Sequence, residues 1–292
     1  MWRPLHAAGL QILQVRTLQR LTWLVHGFST RLGGVSHLET ASGGSGVLNL
    51  GFTPWDSRAN VAVNRARLLS ALGAEQMKLC PLRQIHSDVT RAFDAHSEQA
   101  PQGDASITRR SGLLLAVQTA DCVPILLVDT KRRAVAAVHA GWCGTLKRIT
   151  AKALGRMQMS FGTQPSDVLA VLGPAIGRCC YGVGPEVAQA YTAQFARARE
   201  WFEGSFDRAA SSEQPNPLKW LNRTAPGHHP PPPRVHLDLK AANRWQLLDR
   251  GVKPSNILTS ELCTACRPDL LFSHRREDGR TGRLMAVVGI RA

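Results

Sequence analysis

The sequence predicts a mixed α/β fold, because short apolar runs of strand length alternate with longer segments of helical periodicity. The 43% hydrophobic content of the 292 residues is typical of a globular chain. A chain of this length buries about three-quarters of its unfolded surface, so a sizeable core forms without disulfide bonds.

The elements follow one another in a regular order. Apolar runs bounded by turn residues predict strands, and apolar residues at spacings of three and four predict helices. Asp56 or Ser57 is suited to cap the first helix, and Gly251 to end the last one. The predicted strands span residues 22–28, 113–117, 122–129, 134–139 and 168–172, and the predicted helices span residues 57–72, 145–158, 185–197 and 239–249.

The N-terminal segment contains several arginines, and the first acidic residue of the chain is Glu39. An arginine-rich segment without acidic residues also occurs in transit peptides. Leu10–Val15 and Leu21–Val25, however, alternate between apolar and polar residues as strands do. Residues 1–25 are therefore interpreted as an N-terminal extension with the first strands. Four consecutive prolines, Pro230–Pro233, mark a Pro-rich surface segment near residues 211–234.

The formal net charge is +15, which favours anionic partners. The basic residues are spread along the chain and no nucleic-acid recognition pattern is found, so no specific nucleic-acid partner is expected. No apolar run approaches the roughly 20 residues that cross a bilayer, so no membrane partner is expected. The odd count of seven cysteines favours a reducing compartment, and a cytoplasmic location is predicted.

Three short runs each place a good zinc ligand, a histidine or a cysteine, at the edge of a strand or turn: Gln84-Ile-His86-Ser-Asp88, Thr119-Ala-Asp-Cys122-Val-Pro124 and Ala137-Val-His139-Ala-Gly-Trp142. Catalytic zinc sites use three protein ligands, drawn from nitrogen and sulfur donors, and keep one position open. The same atoms fit a second interpretation, in which Cys122 is a nucleophile activated by His139 and oriented by Asp121 or Asp88. Both interpretations require a lowered thiol pKa, so spacing alone does not separate them.

Taken together with other runs in the same order, these motifs resemble the bacterial laccase-domain proteins, also called multicopper-type polyphenol oxidases. The other runs are His26–Gly34, Leu48–Gly51, Gly173–Tyr181, Asp238–Arg244, Cys263–Asp269, Ser273–Arg276 and Gly279–Arg283.

The resemblance implies a fold and an activity. The fold is a single domain of central mixed β-sheets flanked by helices, here a catalytic domain over residues 26–292 with the Pro-rich segment as an insertion. The implied activity is that of a zinc-dependent purine nucleoside phosphorylase, acting on adenosine, inosine and related nucleosides, with adenosine deaminase side activity. A small-molecule nucleoside and phosphate are the implied partners.

The resemblance also assigns residues to the site. It implies that His86, Cys122 and His139 bind the zinc ion, with Cu²⁺ as the alternative metal. Cys122, His139 and Asp121 are the predicted catalytic residues. The predicted substrate-binding residues are Arg31, Asn49, Gln84, Arg276 and Arg280.

Two positions depart from the family pattern. Ser87 stands where the family usually has glycine, and Cys143 where it usually has an arginine suited to bidentate phosphate recognition. Lys147 or Arg148, one helical turn on, could supply the missing charge. Two alternative functions stay open: a hydrolase with Cys122 as nucleophile, and a copper-dependent phenol oxidase. The second is disfavoured by the lack of dense His-x-His pairs.

Overall fold

The computed structural model describes residues 1–39, 44–204 and 235–291, so the predicted Pro-rich insertion lies outside the described residues. The predicted mixed α/β class is confirmed. The chain divides into a large compact unit, Met1–Gly177 with Leu239–Ala292, and a small one, Arg178–Asp238.

The elements of the described residues are numbered in chain order. The helices are α1 (Arg16–Gln19), α2 (Arg58–Ala71), α3 (Trp142–Leu146), α4 (Ile149–Phe161), α5 (Pro185–Gln194) and α6 (Leu239–Asp249). The strands are β1 (Trp2–Ala7), β2 (Leu10–Val15), β3 (Leu24–Ser29), β4 (Leu32–Leu38), β5 (Gly44–Val47), β6 (Lys78–Pro81), β7 (Thr90–Ala92), β8 (Ala105–Thr108), β9 (Leu113–Thr119), β10 (Val123–Asp129), β11 (Ala134–Ala140), β12 (Val168–Leu172), β13 (Gly182–Val183), β14 (Phe202–Glu203), β15 (Val235–Leu237), β16 (Ile257–Thr259) and β17 (Leu284–Ile290).

Two mixed six-stranded sheets form the centre of the large unit. The first has the order β1-β2-β3-β17-β9-β6, and the second has the order β16-β12-β10-β11-β8-β7. In the first sheet β6 runs parallel to β9, and in the second β7 runs parallel to β8 and β16 to β12, while the other pairs are antiparallel.

Period-two alternation of the strands builds the layers. On β17, Ala286 and Val288 face the second sheet and pack with Leu126 and Val171, whereas Val287 faces outward. Helix α2 covers that outer face of the first sheet. Helices α4 and α6 contact strands of the second sheet. The large unit is therefore a pair of sheets with helices on their outer faces.

One predicted helix is wrong at its start. Instead of a single helix over residues 145–158, the chain forms α3, breaks at Arg148 and continues as α4. Arg148 adopts the left-handed conformation (φ 63°), which interrupts a right-handed helix, and its guanidinium lies 5.8 Å from the Trp245 ring centroid.

The small unit contains a three-stranded antiparallel sheet of order β13-β15-β14 and helix α5. This helix ends at Gln194, three residues before the predicted end, because Phe195 turns to an extended conformation (φ −133°). The Tyr191 ring on α5 is fully buried and packs edge-on against Trp201 and Phe202. Aromatic packing thus supplies much of the core of the small unit.

His26 on β3 makes the stability of the fold dependent on pH. Its ring is buried and its Nε2 accepts a hydrogen bond from the Val15 amide at 3.0 Å, and burial lowers its pKa from 6.5 to about 4. As the pH falls below 6.5, His26 becomes protonated in the unfolded chain, whereas in the folded chain it stays neutral until about pH 4. We therefore expect this residue to remove about 3 kcal/mol of stability as the pH falls through that window.

Urea unfolding of the wild type and of His26→Gln between pH 7 and pH 4 measures this contribution. Glutamine keeps an acceptor for the Val15 amide but does not titrate, so the variant should lose stability less steeply. His6→Gln, at an exposed position of β1, is the matched control and should follow the wild type. Equal slopes for wild type and His26→Gln would exclude His26 as the source.

Candidate metal centre

Three side chains from distant parts of the sequence meet at one edge of the paired sheets. His86 lies in the loop after β6, Cys122 in the turn between β9 and β10, and His139 near the end of β11. Strands β10 and β11 pair so that Pro124 lies opposite His139, which brings the start of one strand to the end of the other. The ligand atoms of the three side chains all lie within 4.8 Å of one another.

The cluster is buried on one side and open on the other. His139 is buried, Cys122 is half-buried and His86 is exposed. The two imidazole rings stand nearly perpendicular at 75°, with centroids 5.0 Å apart. A Cβ atom at Gly141 would lie 2.9 Å from the Cys122 Sγ and 3.1 Å from the His86 Cδ2, so only glycine fits the wall of the cluster.

Asp104, which precedes β8, is the acid that holds the cluster together. Its carboxylate is fully buried and lies 2.8 Å from the His139 Nδ1. It also accepts hydrogen bonds from the Ile85, His86 and Ser87 amides and from the Ser87 hydroxyl. Burial by itself would raise the pKa of Asp104, but the bonds from His139 and Ser87 outweigh it and hold the pKa well below the usual range.

The thiol and the buried imidazole support each other electrostatically. Burial opposes the charged form of each, yet His139 lowers the pKa of the Cys122 thiol, and Cys122 together with Asp104 raises the pKa of His139. In the absence of a metal, the pair therefore favours a thiolate beside an imidazolium.

This donor set fits zinc. Two imidazoles and one thiolate are the nitrogen and sulfur ligands that zinc prefers, and three protein ligands with an open side are typical of a catalytic site. An ionised carboxylate only accepts hydrogen bonds, so the His139 Nδ1 donates to Asp104 and its Nε2 is left for a metal. The exposed edge at His86 leaves room for a further ligand or a substrate.

Asp121 lies next to Cys122 but its carboxylate is engaged elsewhere. It accepts hydrogen bonds from the Thr264 hydroxyl at 2.6 Å and from the Arg275 amide at 2.7 Å. The left-handed backbone at Asp121 (φ 96°) and these bonds anchor the C-terminal segment beside the cluster. The acid that orients His139 is thus Asp104, rather than Asp121 or Asp88 as predicted. Asp88 pairs with Lys152.

Two predicted substrate-binding residues have their side chains bonded to the protein. The Gln84 amide donates to the Gln118 carbonyl and accepts from the Gln118 amide, each at 2.7 Å, which ties the His86 loop to β9. The buried Asn49 side chain bonds Thr53, Asp56, Gly51 and the Arg283 amide. Both residues position neighbouring loops, and direct substrate contact by either one stays a prediction.

The three predicted substrate-binding arginines all adjoin Glu277, in the chain or through a bond to it, but they differ in burial. Arg31 is buried, with an ion pair to Glu277 at 3.1 Å and its guanidinium carbon 4.7 Å from the Phe272 ring centroid. Arg280 is exposed and lies 3.6 Å from Glu39. Arg276 is exposed, and its backbone amide donates to the Ser273 hydroxyl. Substrate binding by these residues also stays a prediction.

Two residues near the cluster were not singled out from the sequence. Burial lowers the pKa of the Arg283 guanidinium, and the charges of Cys122 and Asp121 counter that effect, so Arg283 is a cation that interacts electrostatically with the thiol. Asp104 is the other residue. It directly precedes the apolar strand β8, and aspartate is rarely buried without a partner, which is a signal that sequence inspection could use.

The structure also places the residues around Cys143. Lys147 is exposed, and its charge lowers the pKa of the Cys143 thiol. Burial and the charge of Cys122 both raise that pKa and together outweigh Lys147, so the net shift is upward. Arg148 instead lies over the Trp245 ring. Of the two suggested replacements for the missing arginine, Lys147 is the one whose charge acts on this position.

Known proteins resemble this chain over nearly its whole length. The family model described as "Multi-copper polyphenol oxidoreductase laccase" matches residues 25–291. Purine nucleoside phosphorylase YlmD of Geobacillus stearothermophilus is 35% identical over 288 residues, covering 92% of this chain and 94% of that protein. Adenosine deaminase RL5, from an unknown prokaryotic organism, is 34% identical over 268 residues, covering 89% of this chain and 91% of that protein. The crystal structure of the hypothetical protein YfiH from Bacillus licheniformis has a TM-score of 0.81 at 28% identity and covers 99% of both chains.

Proposed function

The chain belongs to the multi-copper polyphenol oxidoreductase laccase family, and from this premise we propose that it is a zinc-dependent purine nucleoside phosphorylase with adenosine deaminase side activity. The observation that carries the proposal is the convergence of His86, Cys122 and His139 at an open edge of the sheets. Relatives named for each of the two activities, at 35% and 34% identity, support purine nucleosides as the proposed substrate class.

His86, Cys122 and His139 would hold the zinc ion, and Asp104 would keep the His139 Nδ1 protonated so that the Nε2 faces the metal. A zinc ion bound there would supply Lewis-acid polarisation of an oxygen or nitrogen atom of the substrate. Every other contribution comes from the side chains around it.

In phosphorolysis a phosphate oxygen forms a bond to the ribose carbon while the bond from that carbon to the purine nitrogen breaks, and the base leaves with the electron pair. The phosphate must be held and its charge balanced. Arg283, whose charge interacts with Cys122, and Lys147, whose charge interacts with Cys143, are the cations proposed for this task. Arg31 would first have to leave its buried pair with Glu277.

In deamination, water adds to the purine ring and ammonia leaves. A base must take a proton from the water and an acid must supply one to the leaving amine. Asp121 is the predicted residue for this task, and its position next to Cys122 supports that role. Each carboxylate oxygen of Asp121 already accepts one hydrogen bond, from Thr264 or from Arg275, so the oxygen that takes the proton would keep that bond as well.

One observation favours a second candidate, a hydrolase with Cys122 as nucleophile. His139 lowers the pKa of the thiol, and Asp104 orients His139, which is the arrangement of a cysteine, histidine and acid triad. This candidate predicts a covalent thioester on Cys122 with an amide or ester substrate. The phosphorylase predicts no covalent intermediate.

The proposed partners are a small nucleoside and phosphate, and the proposed location is the cytoplasm. Among the described helices, none combines the length and apolar character that crossing a bilayer requires.

The test is to incubate the purified, zinc-loaded protein with adenosine and with inosine, each with and without phosphate, and to separate the products. Phosphorolysis gives free adenine or hypoxanthine only when phosphate is present, and deamination gives inosine from adenosine without it. Copper-loaded protein with a phenol tests the oxidase alternative. Bound zinc without either purine product would refute the proposal.

A further inference from the structure

We propose that Asp104, reinforced by the Ser87 hydroxyl, is the positioning residue that sets the metal affinity of the centre by orienting His86 and His139 together. The inference rests on the proposed metal site. It goes beyond that site by assigning a residue that touches neither metal nor substrate, and by giving a role to a serine at a position where the family pattern has glycine.

The first step concerns His139. The Asp104 Oδ1 lies 2.8 Å from the His139 Nδ1, and the Asp104 carbonyl accepts the His139 amide at 2.7 Å. The ring and the backbone of this residue are therefore both held by the same aspartate. Such a carboxylate fixes the tautomer and direction of a metal-binding imidazole and raises its basicity.

The second step concerns His86, whose backbone is in the left-handed region (φ 55°), an unfavourable conformation for a residue other than glycine. The Asp104 carboxylate accepts the amides of three successive residues, Ile85 at 3.2 Å, His86 at 3.0 Å and Ser87 at 2.6 Å. These bonds stabilise the turn that directs His86 toward Cys122. One buried carboxylate thus serves two of the three ligands.

The third step concerns Ser87. Its hydroxyl donates to the Asp104 Oδ2 at 2.6 Å and accepts from the Val89 amide at 3.2 Å, so these two hydrogen bonds fix the orientation of the hydroxyl. A glycine at this position would leave the carboxylate with one donor fewer. The hydroxyl therefore strengthens a contact that the family pattern makes without it.

The experiment measures Zn²⁺ affinity by competition with a chromophoric chelator, starting from chelator-stripped full-length protein. Asp104→Asn should weaken binding by about 10–100-fold, because the amide cannot accept all the donors. Ser87→Ala should weaken it by about threefold to tenfold, and Ser87→Thr, which restores a hydroxyl, should bind as the wild type does. Asp94→Asn, at an exposed acid of the large unit, is the control and should have no effect.

Two further readouts separate positioning from general stability. The absorption spectrum of the Co²⁺-substituted protein should change in Asp104→Asn, because the ligand field changes when His139 loses its orientation. Metal-free Ser87→Ala should melt no more than about 2–4 °C below metal-free Ser87→Thr, which is the shift expected from one lost hydrogen bond, so that both variants are folded and their difference in affinity reports on the hydroxyl. If Asp104→Asn does not fold, this serine pair decides the matter.

Wild-type affinity in both Asp104→Asn and Ser87→Ala overturns the inference while leaving the metal centre intact. If Asp104→Asn does not fold, wild-type affinity in Ser87→Ala is sufficient to overturn it. A wild-type chain that takes up no Zn²⁺ overturns the metal centre itself, and the proposed function with it.

Discussion

Replacement of Cys122 by serine is expected to remove the zinc ion and, with it, both purine activities. Serine is nearly isosteric but is a poor zinc ligand, and Cys122 is the one sulfur donor in the cluster with His86 and His139. Zinc sites gain on the order of 10–16 kcal/mol from their ligands together, so losing one ligand should weaken binding on the order of a thousandfold. Metal analysis of dialysed protein and the nucleoside assay measure the two effects.

Cys143→Ser is the matched control for this substitution. Its thiol is half-buried and interacts with Cys122, but it is not one of the three donors, so zinc content and folding should match the wild type. Full zinc content in Cys122→Ser would contradict the assignment of the thiol as a ligand. A zinc-free wild type that accumulates a thioester on Cys122 would instead support the hydrolase.

The second large effect is expected from Glu277→Ala, which should lower the free energy of unfolding by about 3–5 kcal/mol. The side chains of Arg31 and Glu277 are 3% and 2% exposed, and their ion pair is 3.1 Å long. Glu277 also accepts bonds from the Thr281 hydroxyl and the Ser273 amide. Removing the carboxylate leaves a guanidinium buried without its counter-charge, which is why the effect is large.

Urea unfolding followed by fluorescence measures this change, with Glu39→Ala as the control. Glu39 pairs with Arg280 at 3.6 Å, but the two side chains are 72% and 60% exposed, so the expected change is below about 1 kcal/mol. The double variant Arg31→Met/Glu277→Leu removes both charges and should regain most of the lost stability. If this double variant is stable but inactive, the Arg31–Glu277 pair has a role in activity as well as in stability. Equal losses in Glu277→Ala and Glu39→Ala would contradict the structural role.

The sequence alone determined the elements whose signals are local. The strand Val168–Leu172 and the helix Leu239–Asp249 begin and end where the pattern predicts, because apolar periodicity and turn residues act over a few neighbouring positions. Ser57 caps α2 as one of the two predicted candidates, since its hydroxyl accepts the Asn60 amide at 3.0 Å. Residue chemistry and family motifs also selected His86, Cys122 and His139, because few side chains suit zinc.

Only the tertiary structure decided which groups support those three. Asp104 reaches His139 across 35 positions of sequence and Glu277 reaches Arg31 across 246, and neither distance leaves a periodic signal. The break at Arg148 between α3 and α4 also involves a distant residue, because the Arg148 guanidinium lies over the ring of Trp245 on α6. Burial determines which side chains pair, because removing a charge from water costs free energy unless an opposite charge or a hydrogen-bond donor lies nearby. Partners are therefore decided by the tertiary structure: the three candidate ligands could be selected from the chain, whereas the sequence could at most mark Asp104 as an acid beside an apolar strand and could not name its partner.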